Sequence, residues 1–145
     1  MTPFLLVLSS PSGGGKTSIA RALLQARTDV GYSVSATTRA PRSGERDGQD
    51  YHFLTPEAFE RKVADGEFLE HAAYSGHRYG TLRSEVDRIL HGGRHVVLDI
   101  EVEGARQVRE RMPDAVRVFV LPPSARVLVE RLRGQIANRA LTLDG

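Results

Sequence analysis

The sequence has no cysteine, no tryptophan and only two lysines, and aromatic residues make up 6% of its 145 positions. Lack of cysteine excludes disulfides, thiolate metal sites and cysteine nucleophiles, and fits a reducing, cytoplasmic setting. No apolar run approaches the roughly 18 to 20 residues that cross a bilayer. The N-terminal run Phe4-Leu5-Leu6-Val7-Leu8 lacks a basic flank and has the length of one buried strand, so neither a membrane anchor nor a signal peptide is expected. Hydrophobic residues at 40% and charged residues at 26% are those of an ordinary globule. The length suits one domain with a real core.

Scarcity of lysine means that the basic side is almost all arginine. Twenty basic and eighteen acidic residues leave a formal charge of +2. Most arginines alternate with Asp and Glu, as in Arg106-Gln107-Val108-Arg109-Glu110-Arg111, which reads as solvated helix surface and argues against a nucleic-acid stripe. Arg39, Arg42 and Arg46 break this habit by crowding one polar loop. The five histidines, His52, His71, His77, His91 and His95, lack metal-ligand spacing and read as local hydrogen-bonding or surface groups.

Strand and helix signals alternate. A strand at Phe4 to Ser9, a glycine-rich loop and a helix over Thr17 to Arg27 come first, and Tyr32 to Thr37 reads as a second strand. Thr55-Pro56 marks a helix start with a stop at Gly66, and Phe68 to Tyr79 reads as one or two antiparallel strands divided at Ser75-Gly76. Helices follow from Ser84 and over Gly104 to Met112, strands over His95 to Ile100 and Val116 to Leu121, and Ser124 caps a last helix. Apolar strands separated by helices predict an α/β fold with a parallel sheet covered on both faces. The stretch from about 35 to 83 interrupts the rhythm as an insertion, leaving a core of about 1–34 and 84–133.

Between the first strand and helix lies Ser10-Pro11-Ser12-Gly13-Gly14-Gly15-Lys16-Thr17. Glycines let successive backbone N–H groups curl round an anion, and the helix N-terminus adds about half a positive charge. Lys16 would reach the outer phosphates and Thr17 a Mg²⁺ ion. This is similar to a Walker A loop, GxxxxGK[ST], with Ser10 in place of the first glycine; the bland alternative is a strand-to-helix turn that binds nothing. Val96-Val97-Leu98-Asp99, an apolar strand ending in a carboxylate, has the form of a Walker B element, although a strand can also simply end on a surface acid. Together they make a nucleoside triphosphate with Mg²⁺ the expected ligand.

Arg39 and Arg42, three apart and followed by Tyr51, would clamp a second phosphate dianion, or form only a solvated loop. The run Thr37-Thr38-Arg39 through Arg42, Glu45, Gly48 and Tyr51 to Phe53-Leu54 fits TTRxxRxxExxGxxYxFL at every fixed position. On those residues, and on SSPSGGGKTS, GEFLEHA, YGT and VVLDIEVEGA in the same order, the chain resembles the guanylate kinases from Phe4 to about Gly134.

The resemblance implies a P-loop-type parallel sheet with flanking helices and an inserted GMP-binding subdomain. It also implies phosphoryl transfer from ATP to GMP and dGMP with Mg²⁺, in purine nucleotide metabolism. Ser12, Gly13, Gly14, Gly15, Lys16, Thr17 and Ser18 would bind ATP, and Thr17 and Asp99 the metal. Arg39, Arg42, Tyr51 and Tyr79 would hold the GMP phosphate, Ser35, Glu70 and Thr81 the guanine edge, with Glu45 and Glu101 around that pocket. Lys16, Arg39, Arg42 and Arg131 would absorb charge during transfer. Guanine offers two N–H donors beside an acceptor, which suits a carboxylate with hydroxyls and disfavours adenine. A kinase for another phosphorylated acceptor, such as a sugar phosphate, is argued against by the same three residues.

After Arg131-Leu132-Arg133-Gly134 the family pattern continues with arginine and Gly-Thr, where this sequence has Gln135-Ile136-Ala137. The expectation is therefore a single guanylate-kinase-like domain over 1–145, incomplete at its C-terminal side with a divergent tail over 134–145. A second copy or partner chain would cover that edge. A module that binds GMP without turnover is the alternative function.

Overall fold

The computed structural model describes residues 2–10 and 16–121, together with 124, 126, 127, 129–131, 133 and 134. The first sheet is formed by β1 (Leu5–Ser9), β2 (Val30–Tyr32), β7 (His95–Asp99) and β8 (Val116–Phe119), in the order β2-β7-β1-β8 and wholly parallel. The second is formed by β3 (Ala36–Thr37), β4 (His52–Phe53), β5 (Phe68–Tyr74) and β6 (His77–Leu82), in the order β4-β3-β6-β5. Helices α1 (Lys16–Ala26), α2 (Pro56–Ala64), α3 (Arg83–His91) and α4 (Val102–Arg111) complete the described elements. The α/β architecture expected from the alternating pattern is the one observed.

The continuous apolar strands of the first sheet are explained by burial on both faces. Leu5, Val7, Val96 and Leu98 point to one side, where they meet Val86 and Ile89 of α3 and Val108 of α4. Leu8, Val30 and Val97 point to the other, against Ala20, Leu23 and Leu24 of α1. In β1 and β7 the expectation of a covered sheet holds. It fails at β8, whose four residues are all exposed, Phe119 by 53%. Among the described residues this strand pairs only with β1, at the end of the strand order, and it carries Arg117 within its apolar run.

A second correction concerns the strand expected over Tyr32 to Thr37. It is two strands in two sheets: Tyr32 pairs with Val97, whereas Ala36 pairs with His52 on one side and Gly80 on the other. Alternating small and β-branched residues report an extended backbone but not a change of partner. Residues 33–35 make the crossing.

Other boundaries follow local chemistry closely. Thr55 caps α2 by accepting from the Ala58 N–H at 3.1 Å, with Pro56 at the first helical position. β5 and β6 form a hairpin through Ser75 (φ 50°) and Gly76 (φ 78°), two left-handed residues as a tight hairpin turn requires. Ser124 accepts from the Val127 N–H at 3.2 Å, the capping contact expected of it.

The second sheet has its own cluster, in which Phe59 of α2 is fully buried and stacks on Phe68 with ring centroids 4.4 Å apart, beside Ala36 and Leu82. Phe59→Ala is expected to cost about 3–5 kcal/mol of folding stability, because it empties a closed apolar site. Urea denaturation would measure it, and a loss below about 1 kcal/mol would contradict the packing described.

Candidate active site

The second sheet and the loop between β3 and β4 carry Arg39, Arg42, Glu45, Tyr51, Glu70, Tyr79 and Thr81. Thr37, fully buried, donates from Oγ1 to the Arg78 carbonyl (3.0 Å) and accepts from the Arg39 N–H (3.2 Å). Thr38 Oγ1 accepts from the Arg78 N–H at 2.9 Å. The paired threonines thus fasten the start of the loop to β6 and set the direction in which Arg39 leaves it.

Arg39 then meets Glu45 in a two-pronged pair, Nη1 to Oε1 at 2.7 Å and Nη2 to Oε2 at 3.0 Å. Its guanidinium carbon lies 5.1 Å from the Tyr51 ring centre, and the Tyr51 and Tyr79 rings stand 6.2 Å apart, edge to face. Arg39 is held well above its ordinary value, chiefly by the Glu45 hydrogen bonds, with the Tyr79 and Tyr51 hydroxyls adding to the effect. Glu45 is drawn down to about 2 by Arg39 and by the Arg42 N–H, which donates to Oε1 at 2.7 Å. Glu45 is therefore the group that orients Arg39 and closes the loop. Arg42 takes part through its backbone, with the residue itself exposed.

Both Nη atoms of the cation are taken by the carboxylate, so an incoming anion would meet its remaining N–H groups beside the two phenols. Arg39→Lys keeps the charge but loses the fork, and is expected to raise the KM for a phosphomonoester substrate about tenfold with a smaller change in kcat. Steady-state kinetics would read it, and an unchanged KM would remove Arg39 from phosphate binding.

Glu70 and Thr81 face each other across β5 and β6. Both are buried, and Thr81 Oγ1 donates to Glu70 Oε1 at 2.8 Å. Burial pushes the Glu70 carboxyl above its ordinary value, against the opposing effects of the Thr81 hydrogen bond and the Arg111 charge. A carboxylate in such a place asks for further donors. Ser35 is half-buried on the crossing between the sheets, and its carbonyl accepts from the His52 N–H at 2.8 Å.

Asp99 ends β7 beside Leu8 of β1, the strand that runs on into the glycine-rich loop. Ser12, Gly13, Gly14 and Gly15 lie outside the described residues, as do the side chains of Lys16 and Thr17; Lys16 itself begins α1. Ser18 is exposed in the first turn of that helix, Glu101 is exposed just before α4, and Arg131 is exposed in the helical residues after Ser124.

A hydroxyl at Thr17 and a carboxylate at Asp99 are hard oxygen donors that suit Mg²⁺, which keeps several waters and phosphate oxygens in its shell. Among the described residues no group of three or more His, Cys, Asp or Glu could hold a metal ion unaided.

Sequence reasoning missed Tyr32, which lies on the α1 side of the sheet at the end of β2. Burial raises its phenol above the ordinary value, and the charges of Asp99 and Tyr51 raise it further. A half-exposed tyrosine in an apolar strand carries no signal that separates it from core. Glu85 was missed as well: Oε1 accepts from the Val34 N–H (3.5 Å) and Arg88 Nη2 (2.8 Å), and Oε2 faces His52 Nε2 at 3.3 Å. It read as one charge among many on a solvated helix.

Fold and site together define a class, an α/β protein with a parallel core and a second sheet that gathers an arginine, phenols and a buried carboxylate. A family model described as guanylate kinase matches residues 3–143. The guanylate kinase of Paramagnetospirillum magneticum is 55% identical over 132 residues, covering 90% of this chain and 62% of that protein. The guanylate kinase of Sphingopyxis alaskensis is 53% identical over 132 residues, with 90% and 60% covered. The crystal structure of guanylate kinase from Anaplasma phagocytophilum matches with a TM-score of 0.67 at 38% identity, over 91% of this chain and 66% of that one. The chain belongs to the guanylate kinase family. It spans about three-fifths of the length of the curated relatives it matches.

Proposed function

We propose that the protein phosphorylates GMP, and dGMP, at the expense of ATP with Mg²⁺, as a cytoplasmic enzyme of purine nucleotide metabolism. What supports this is that the second sheet and its β3–β4 loop hold two groups of side chains of complementary chemistry. The Arg39–Glu45 pair with Tyr51 and Tyr79 suits a phosphate, and the buried Glu70 with Thr81 suits the paired N–H donors of guanine. Ser35 would meet the guanine oxygen. Arg42 and Glu101 complete the acceptor side in this reading, and Arg131 the charge-absorbing set.

In the transfer, a GMP phosphate oxygen forms a bond to the γ-phosphorus of ATP in line with the breaking bond, and ADP leaves with that electron pair. No side chain needs to act as a covalent nucleophile. The backbone N–H groups of the glycine-rich loop, including Gly13, Gly14 and Gly15, would cradle the ATP phosphates, and Lys16 would reach the outer ones. Thr17 and Asp99 would hold the metal, which when bound neutralises charge on the phosphate oxygens. Among the described residues no helix is long and apolar enough to cross a membrane. A second copy or partner chain would pair along β8, the exposed edge.

The test is ADP release driven by GMP, beside calorimetric titration of GMP. The expected result is turnover with GMP and dGMP and a preference over AMP of roughly 10⁴. Saturable GMP binding without ADP would leave a binding module, and comparable rates with AMP would remove Glu70 from base recognition.

A further inference from the structure

Among the described residues β5 ends one side of the second sheet, and an unpaired strand edge leaves backbone N–H and C=O groups without partners. Here two side chains of α4 occupy it. Gln107 Oε1 accepts from the His71 N–H at 3.0 Å, and Gln107 Nε2 donates to the His71 carbonyl at 3.1 Å. Arg111 Nη1 donates to the Leu69 carbonyl at 2.7 Å and to Gln107 Oε1 at 3.2 Å. The main chain is thereby gripped on both sides of Glu70.

The same face of α4 also touches the Glu70 side chain. Positions 104, 107 and 111 fall on one helical stripe. A Cβ at Gly104 would stand 2.9 Å from Glu70 Oε2, so the helix backbone comes close against the carboxylate.

We propose that Gln107 is a positioning residue for base recognition, holding β5 so that the Glu70 carboxylate is presented to guanine. The inference rests on the assignment of Glu70 to the guanine edge. A primary amide supplies a donor and an acceptor from one planar head, which is what a single residue's N–H and C=O on a strand edge require. Glutamate keeps the acceptor but sets an oxygen against the His71 carbonyl. Methionine keeps the length and loses both bonds.

The full chain carrying Gln107→Met or Gln107→Glu is compared with wild type by calorimetry with GMP and with ATP, by steady-state kinetics, and by amide hydrogen exchange at His71. In both variants GMP affinity is expected to fall about tenfold, the worth of one or two net hydrogen bonds. ATP affinity and kcat at saturating GMP stay within about twofold, and the His71 amide exchanges faster while the amides of β1 and β7 do not.

Equal losses for GMP and ATP would mean a merely structural role and overturn the proposal. So would unchanged GMP affinity in a variant whose His71 amide has opened, or a slow His71 amide in both variants. If Gln107→Met fails to fold, Gln107→Glu, which can still pair with Arg111, decides by the same comparison. Wild-type protein that binds no GMP defeats the proposed function itself, a result distinct from any difference between variants.

Discussion

Lys16→Met is expected to lower kcat by about 10²–10³-fold or more while the Kd for GMP stays within about twofold of wild type. The two halves of this result come from the two sheets. Lys16 begins α1 behind the first sheet, whereas Arg39, Tyr51, Tyr79, Glu70 and Thr81 belong to the second sheet and its loop. An ammonium group that reaches the outer phosphates of ATP neutralises charge as the γ-phosphoryl group moves, an interaction stronger in the transition state than in the ground state. Methionine has a similar length and no charge. A coupled assay for ADP and calorimetry with GMP would measure the two quantities on one preparation. Loss of GMP binding together with turnover would show that the variant disturbs the whole fold, and retained turnover would remove Lys16 from the reaction.

The second large effect is expected at Glu70. Glu70→Gln keeps the size of the side chain and an acceptor for Thr81, but it replaces one carboxylate oxygen by an N–H₂ group. Guanine then meets a donor where it offers a donor, while adenine N1 gains one. kcat/KM for GMP is expected to fall about 10²–10³-fold and that for AMP to rise, so that discrimination drops from roughly 10⁴ to below about 10².

A pH series adds a second reading. Because burial raises the Glu70 carboxyl, it takes up its proton at a higher pH than an ordinary glutamate, and the protonated form accepts poorly from guanine. GMP affinity should therefore fall on acidification through that raised value in wild type. Glu70→Gln retains only the decline due to the substrate phosphate itself.

For the unliganded protein the sign is opposite. A raised folded-state value favours folding below the unfolded value and loses that contribution as pH rises through the folded one. Thermal melts at neutral pH should thus find Glu70→Gln no less stable than wild type. A wild-type GMP affinity profile no steeper than that of Glu70→Gln would place the titrating carboxyl elsewhere.

How much of this was legible beforehand depended on whether a residue's partner lay near it in sequence. Thr55-Pro56, Ser75-Gly76 and Ser124 announce caps and turns whose hydrogen bonds close within a few positions, and each is found where the sequence placed it. The Arg39 loop is legible for the same reason, since Glu45 is six residues away. The strand over 32–37 was misjudged because its pairing partners lie about 16 to 65 residues off and differ on either side of residues 33–35. Gln107, 36 residues from His71, looked like helix surface between arginines. Nothing local distinguishes an amide that grips a distant strand edge from one that faces water.

At Phe68-Leu69 the pairing of β5 with β6 shifts register, Phe68 lying opposite Leu82 and Glu70 opposite Thr81. Phe68 belongs to the small cluster with Phe59, and its immediate neighbour Leu69 belongs to the large one with Val86 and Val108. Two hydrophobic interiors are therefore joined through adjacent residues of one strand. Neither can loosen without pulling the other, so the Phe59→Ala cavity should weaken the main sheet as well as the small one, and the two halves should melt as a single cooperative unit.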